Sequence, residues 1–295
     1  MHASNPRPAQ TLKGRPELRH LSAVILLLLL SALFAGAKDG GLFLTGSVLE
    51  QIGENLGDGT VVSRSTAATT NRFDEHGNLM RTEIALDYNG DGVVDELVTD
   101  TFAYDKHGTE LSIVQDTDAG ADGTVDTRSV TTRTNLNANQ FQEITLIDKG
   151  ADGTIDEVDT STYTYEAGHV VRAVTEFDTN ADGIPDSSAV ETWTYDLPNG
   201  RLFYLREDDF NADGIVDATS TANYMLDDRG NPVSGALQLF DPSAGTEIPV
   251  TMTFAYDKFG NLMQQNTELL FPGPSGPLKI VSILTYFYSH RGELH

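Results

Sequence analysis

Five nine-residue stretches share the pattern D-x-[N/G]-x-D-G-x-x-D: DYNGDGVVD (87–95), DAGADGTVD (118–126), DKGADGTID (148–156), DTNADGIPD (178–186) and DFNADGIVD (209–217). Each places side-chain oxygens at positions 1, 5 and 9, with a glycine at position 6 where the chain must turn sharply. Hard cations such as Ca²⁺ take six to eight oxygens at about 2.3–2.6 Å, and this spacing supplies them from one short loop. The expected metal ligands are Asp87, Asn89, Asp91 and Asp95; Asp118, Asp122 and Asp126; Asp148, Asp152 and Asp156; Asp178, Asn180, Asp182 and Asp186; and Asp209, Asn211, Asp213 and Asp217. Gly120 and Gly150 take the place of the position-3 Asn, so the second and third loops should bind more weakly. The expected cofactor is therefore Ca²⁺, about three to five ions.

The elements that must hold these loops repeat with them. Successive loops start 31, 30, 30 and 31 residues apart, and a second mark recurs in phase: FDEHGNL (73–79), YDKHGTEL (104–111), YEAGHVV (165–171), YDLPNGRL (195–202), LDDRGNPV (226–233) and YDKFGNL (256–262). Between the two marks lie segments such as ELVTDTFAY and EVDTSTYTY, rich in Thr, Val, Tyr and Ile. β-branched and aromatic enrichment bounded by Gly, Asn and Asp predicts strands. Glycines in the Y-D-x-x-G-N turns supply the positive φ of a tight hairpin, and the neighbouring Asp and Asn can bond local amides. The fold class is all-β, an antiparallel meander of about fourteen strands forming a curved, spiral or closed sheet, with a β-propeller as the alternative. The organisation read from the repeats is residues 1–37 as a leader, 38–72 as an N-terminal cap with a degenerate repeat, 73–225 as loop-bearing hairpins, and 226–295 as degenerate repeats with a C-terminal cap.

The leader reads as an export signal. Arg7, Lys13, Arg15 and Arg19 precede the apolar run LSAVILLLLLSALFAGA, which ends in Ala35-Gly36-Ala37, an A-x-A cleavage pattern. Without it, 15 basic residues face 43 acidic ones, a net charge near −28. Such a charge disfavours nucleic acid as a partner. Cysteine is absent, which excludes disulfides and thiolate chemistry.

The loops resemble the first half of an EF-hand, and more closely the calcium loops of FG-GAP and VCBS repeat proteins. The position-12 glutamate of an EF-hand has no counterpart: Val98, Ser129, Asp159, Ala189 and Ser220 stand there. The segments TFAYDKHGTEL and TFAYDKFGNLM resemble YD (RHS) repeats, whose hairpins build long curved sheets in secreted proteins. That resemblance implies an architecture of stacked hairpins, and only the architecture is carried over.

No G-x-S-x-G, H-E-x-x-H or phosphate-loop motif is present, so an enzyme is not expected. The functional expectation is an exported structural or adhesive surface module rigidified by calcium. A carbohydrate- or protein-binding lectin-like module is the alternative, and a secreted hydrolase ranks lower. The expected partners are calcium and an extracellular glycan or protein, with no nucleic acid and no membrane once the leader is removed. The expected location is secreted, periplasmic or at the cell surface.

Overall fold

A computed structural model describes residues 42–55, 60–241, 246–271 and 278–290. The leader falls outside these residues. Sixteen strands follow one another along the chain: β1 (Leu42–Asn55), β2 (Thr60–Phe73), β3 (Leu79–Asp87), β4 (Glu96–Tyr104), β5 (Glu110–Ala119), β6 (Thr127–Asn137), β7 (Gln140–Lys149), β8 (Glu157–Glu166), β9 (His169–Asp178), β10 (Ser187–Asp196), β11 (Arg201–Asp209), β12 (Ala218–Leu226), β13 (Pro232–Asp241), β14 (Thr246–Tyr256), β15 (Leu262–Phe271) and β16 (Leu278–His290). Each pairs antiparallel with its chain neighbours, and β1 pairs with β16, so the meander closes into a barrel. The expected all-β meander is what forms. The count of about fourteen is corrected to sixteen, because the capping regions contribute complete strands of their own. A propeller is not what forms, since one continuous sheet replaces separate blades.

The Y-D-x-x-G-N turns explain their own sequence. In the first, Asp74 Oδ1 accepts from the amides of His76 and Asn78 at 2.8 Å each, and Oδ2 accepts from Asn78 Nδ2 at 2.8 Å. Asp257 repeats this with Phe259 and Asn261. Gly260, at φ 91°, takes the left-handed conformation that closes the turn. The Tyr104 hydroxyl crosses to donate to the Leu79 carbonyl at 2.9 Å, fastening one turn to the next. The ladder also shifts register beside these turns, between Arg72 and Phe73, Ala103 and Tyr104, and Ala255 and Tyr256.

Residues directly opposite one another in a ladder point to the same face of the sheet, so the register carries the inside–outside assignment around the ring. Val250 pairs with Leu269 and Leu269 with Ile280, and these sit in one apolar cluster with Leu49, Ile84, Leu86, Leu237, Met252, Leu284 and Tyr286. Val250, Leu269 and Tyr286 are each 1% exposed, burial that only the inside of a closed ring provides. The inner face is therefore apolar and packed over β12–β16 and β1–β3. Over β4–β11 the same face carries charge, and the outer face mixes threonine and aliphatic residues with Asp116, Arg128, Arg172, Glu176 and Glu207.

Candidate functional site

The five acidic loops all join strands at one rim, at the ends opposite the Y-D turns. Their carboxylates are used to hold the loop backbone. Asp87 Oδ1 accepts from the Gly90 amide at 2.6 Å and Oδ2 from Gly92 at 2.8 Å, while Asp95 Oδ2 reaches back to the Tyr88 amide at 2.8 Å. Asn89 caps the Asp91 amide at 2.9 Å, and Asp91 caps Val93 at 2.8 Å. Most of these bonds recur in the other four loops, where the position-1 Oδ1 accepts from the position-5 amide in place of position 4. Asp118, Asp148, Asp178 and Asp209 accept from the position-6 glycines Gly123, Gly153, Gly183 and Gly214 at 2.7–2.8 Å. Asp126, Asp156, Asp186 and Asp217 accept from the position-2 amides at 2.7–2.8 Å. Asp122, Asp152, Asp182 and Asp213 cap the position-7 amides at 2.8–2.9 Å. Asn180 and Asn211 cap the position-5 amides, as Asn89 does, at 2.9 and 3.1 Å.

These bonds leave an electrostatic trace. The Thr154 amide and hydroxyl hold the Asp152 carboxyl below its ordinary range, and Thr179 does the same for Asp186 through its side chain and amide. At the opposite rim the Thr109 and His107 amides depress Asp105. Among the described residues no group of three or more His, Cys, Asp or Glu side chains is placed to hold a metal ion. The reading of the whole chain as a calcium-binding, EF-hand-like protein is therefore corrected. A tight loop with several inward-pointing amides calls for the same Asp and Gly spacing that a cation would.

The second concentration of chemistry is the inner wall over β4–β11, which the loop motif gave no reason to expect. The register places Glu96, Asp100, Glu110, Glu143, Glu157, Asp159, Glu191 and Asp208 on this face, against Lys149, Arg133 and Arg206. Arg133 spans Glu143, at 2.5 Å, and Glu110, at 3.9 Å, with its guanidinium 4.5 Å above the Phe141 ring. Arg206 bonds Asp208 at 2.8 Å and approaches Glu191 to 3.5 Å, and Glu191 accepts from the Tyr204 hydroxyl at 2.5 Å. Gln115 donates to Asp100 at 2.9 Å. Aromatic rings line the wall beside these groups: Phe141 stacks on Tyr163 at 4.5 Å, and Trp193 lies 5.5 Å from Tyr204. Carboxylates outnumber cations, so the wall is net acidic.

The observations that decide the architecture are the ring closure and the strand number. A mutant of Rh. blastica porin superposes with a TM-score of 0.50 at 10% identity, covering 83% of this chain and all of that one. The fold is that of a porin-like barrel. A porin-like protein from Bacteroides uniformis, at 13% identity with 83% of this chain and 96% of that one covered, gives a TM-score of 0.49, and one from Bacteroides vulgatus, also at 13%, gives 0.38 with 83% and 98% covered. No protein-family model matches the chain, and no curated protein matches it.

The resemblance to YD (RHS) repeats and to FG-GAP and VCBS calcium loops is thereby corrected. Tight turns at one rim and amide-capped loops at the other are what any long antiparallel meander needs, and they do not specify an open stack. The expectations built on that stack fall with it. They are the calcium-rigidified adhesive module, the lectin-like alternative with its glycan or protein ligand, the absence of a membrane partner, and the secreted, periplasmic or surface location. A closed porin-like barrel stands in its place.

Proposed function

We propose that the chain is an outer-membrane barrel of porin type, a channel and not an enzyme, whose acidic inner wall favours small cations and polar solutes over anions. One observation carries this reading: over β4–β11 the inner face of the closed ring carries a net acidic set of charged groups, Glu96, Asp100, Glu143, Asp159 and Glu191 among them. Closure supports it, because a spanning β-structure must pair every backbone group internally. Sixteen strands also reach the size class in which barrels enclose an aqueous channel. The test is conductance of the purified protein in planar bilayers at asymmetric KCl. The reading expects discrete steps with a reversal potential on the cation-selective side, moved toward neutrality by Glu143→Gln and Glu191→Gln. An absence of steps, or anion selectivity, overturns it.

Cation ligation by the rim loops stands as a separate and narrower proposal, with the eighteen residues named above as ligands for about three to five Ca²⁺ ions. What favours it is a spare acceptor: Asp91 and Asp95 each commit one carboxylate oxygen to a loop amide and leave the other without a hydrogen bond among the described residues. Calorimetric titration with CaCl₂ against an EDTA-treated sample tests it, and an absence of binding heat up to about 10⁻³ M, the weak end for extracellular sites, removes it.

A further inference from the structure

In a round, open lumen the polar side chains of the inner wall would face solvent, and on one side of this ring they do not. Thr267, Ser282, Gln51 and Ser65 are successive ladder partners across β15, β16, β1 and β2, so they share the inner face. Ser282 is 0% exposed, Gln265 1%, Thr267 2% and Gln51 3%. Ser65 Oγ donates to Gln51 Oε1 at 3.2 Å, and Gln265 Nε2 donates to Thr267 Oγ1 at 3.3 Å. Gln51 Nε2, Gln265 Oε1 and Ser282 Oγ are shut away from solvent and find no partner among the described residues. Burying a polar group unpaired costs about 1–3 kcal/mol, so the packing in front of these atoms, and not their own chemistry, holds them there.

What stands in front of them is the wall itself. A strand's own sheet shields its inner face only from behind and from the sides, so near-complete burial needs a second layer about 10 Å away. Among the described residues the strands of the ring and their connections are the only elements that can supply it. One apolar cluster joins Ala222 and Leu237 on β12 and β13 to Leu49, Ile84 and Leu86 on β1 and β3. The β4–β11 half has no such cover: its Arg133 and Arg206 side chains are 38% and 36% exposed, and Ser129 and Ser161 are half-buried. Where an inner-face residue is buried in that half, its ladder neighbours cover it, as Tyr163 and Arg133 cover Phe141 and as Tyr163 and Glu191 flank Ala173.

We infer that the ring is pinched: β12–β16 and β1–β3 close on one another, and the aqueous passage is an off-centre slot that runs along β4–β11 alone. Selectivity then belongs to that half. A permeant meets Asp100, Glu143, Asp159 and Glu191 with the ion-paired Arg133 and Arg206, and touches no side chain of the closed half. The slot admits a smaller solute than a round ring of sixteen strands would. The inference rests on the reading of the chain as a channel.

The chain has no cysteine, so thiols can be introduced one at a time. Ser129→Cys and Ser161→Cys place them on the inner face of β6 and β8, and Ser65→Cys and Ser282→Cys on that of β2 and β16. Each full-chain variant is reconstituted into liposomes and treated with a trimethylammonium methanethiosulfonate, with modification followed by mass spectrometry; the same variants in urea give the rate of a fully exposed thiol. Two sites per half keep a result in hand should one variant fail to fold. The inference expects the thiols at 129 and 161 to react at least about tenfold faster than those at 65 and 282, which react only when the packed half opens. Conductance of the unmodified protein in planar bilayers reads the channel separately. Fast reaction at all four sites means a lumen open all round; it overturns the inference and leaves the channel reading standing. Slow reaction at all four means no aqueous passage, and both fall. The expected pattern of rates without conductance keeps the pinched ring and removes the channel.

Discussion

Leu269 offers a quantitative test of the packed sector. It lies on β15 between Val250 and Ile280, is 1% exposed, and belongs to the apolar cluster that fills the ring behind β12–β16 and β1–β3. Leu269→Ala removes the equivalent of three methylene groups, about 2.4 kcal/mol of transfer free energy. The cavity left behind raises this to about 3–4 kcal/mol, because neighbours anchored in a sheet collapse only partly. With a urea slope of about 2–3 kcal/mol per molar, the unfolding midpoint should fall by roughly 1–2 M. The control is Ile144→Ala, at an outer position that is 36% exposed, where a change within about 0.5 kcal/mol is expected. Far-UV circular dichroism against urea, in matched detergent micelles, reads both. A Leu269→Ala midpoint indistinguishable from that of Ile144→Ala would refute the assignment of the packed face to the inside of the ring.

Other outcomes follow from the same geometry. A Cβ added at Gly235 on β13 would lie 2.7 Å from the Tyr224 ring, so Gly235→Val should destabilise by about 1–3 kcal/mol, and Tyr224→Leu should recover part of that loss in a double-mutant cycle. Asp105, Asp152 and Asp186 have depressed pKa values, so the stability they contribute is present above the unfolded carboxylate pKa and lost as pH falls through the lower folded value. Melting temperature should therefore drop on acidification below about pH 4, and replacing the three by Asn should flatten that drop. Gly260→Ala forces a Cβ onto a residue at φ 91°, and should lower the melting temperature by a few degrees, an effect of about 1 kcal/mol.

The hairpin grammar was legible in the chain because each piece of it is local. Asp74, Gly77 and Asn78 sit within five residues and make one turn, and Asp87, Gly92 and Asp95 make one loop, so their spacing survives translation into structure. Spacing alone does not say what the loop carboxylates do, for a physical reason: a capped backbone amide and a bound cation both ask for an oxygen at the same place. A closed sheet stood beside a curved or spiral one because closure depends on Leu49 meeting Leu284, a pairing that no local pattern encodes. The inner wall was hidden by threonine. On β8 the run EVDTSTYTY alternates Asp159, Ser161 and Tyr163 on the inside with Thr160, Thr162 and Thr164 on the outside, and neither face announces itself by hydropathy.

The register between successive hairpins repeats almost unchanged from β3 to β12, with each period of 30 or 31 residues bringing its own turn and its own loop. The circumference of such a ring is countable in units of one hairpin. Excising residues 148–177 would join Ile147 directly to Asp178, which occupies the place of Asp148 in its own loop, and the neighbouring strands would meet with matching ends. A gene that gains or loses whole periods can therefore widen or narrow its barrel two strands at a time, without redesigning any contact beyond the junction.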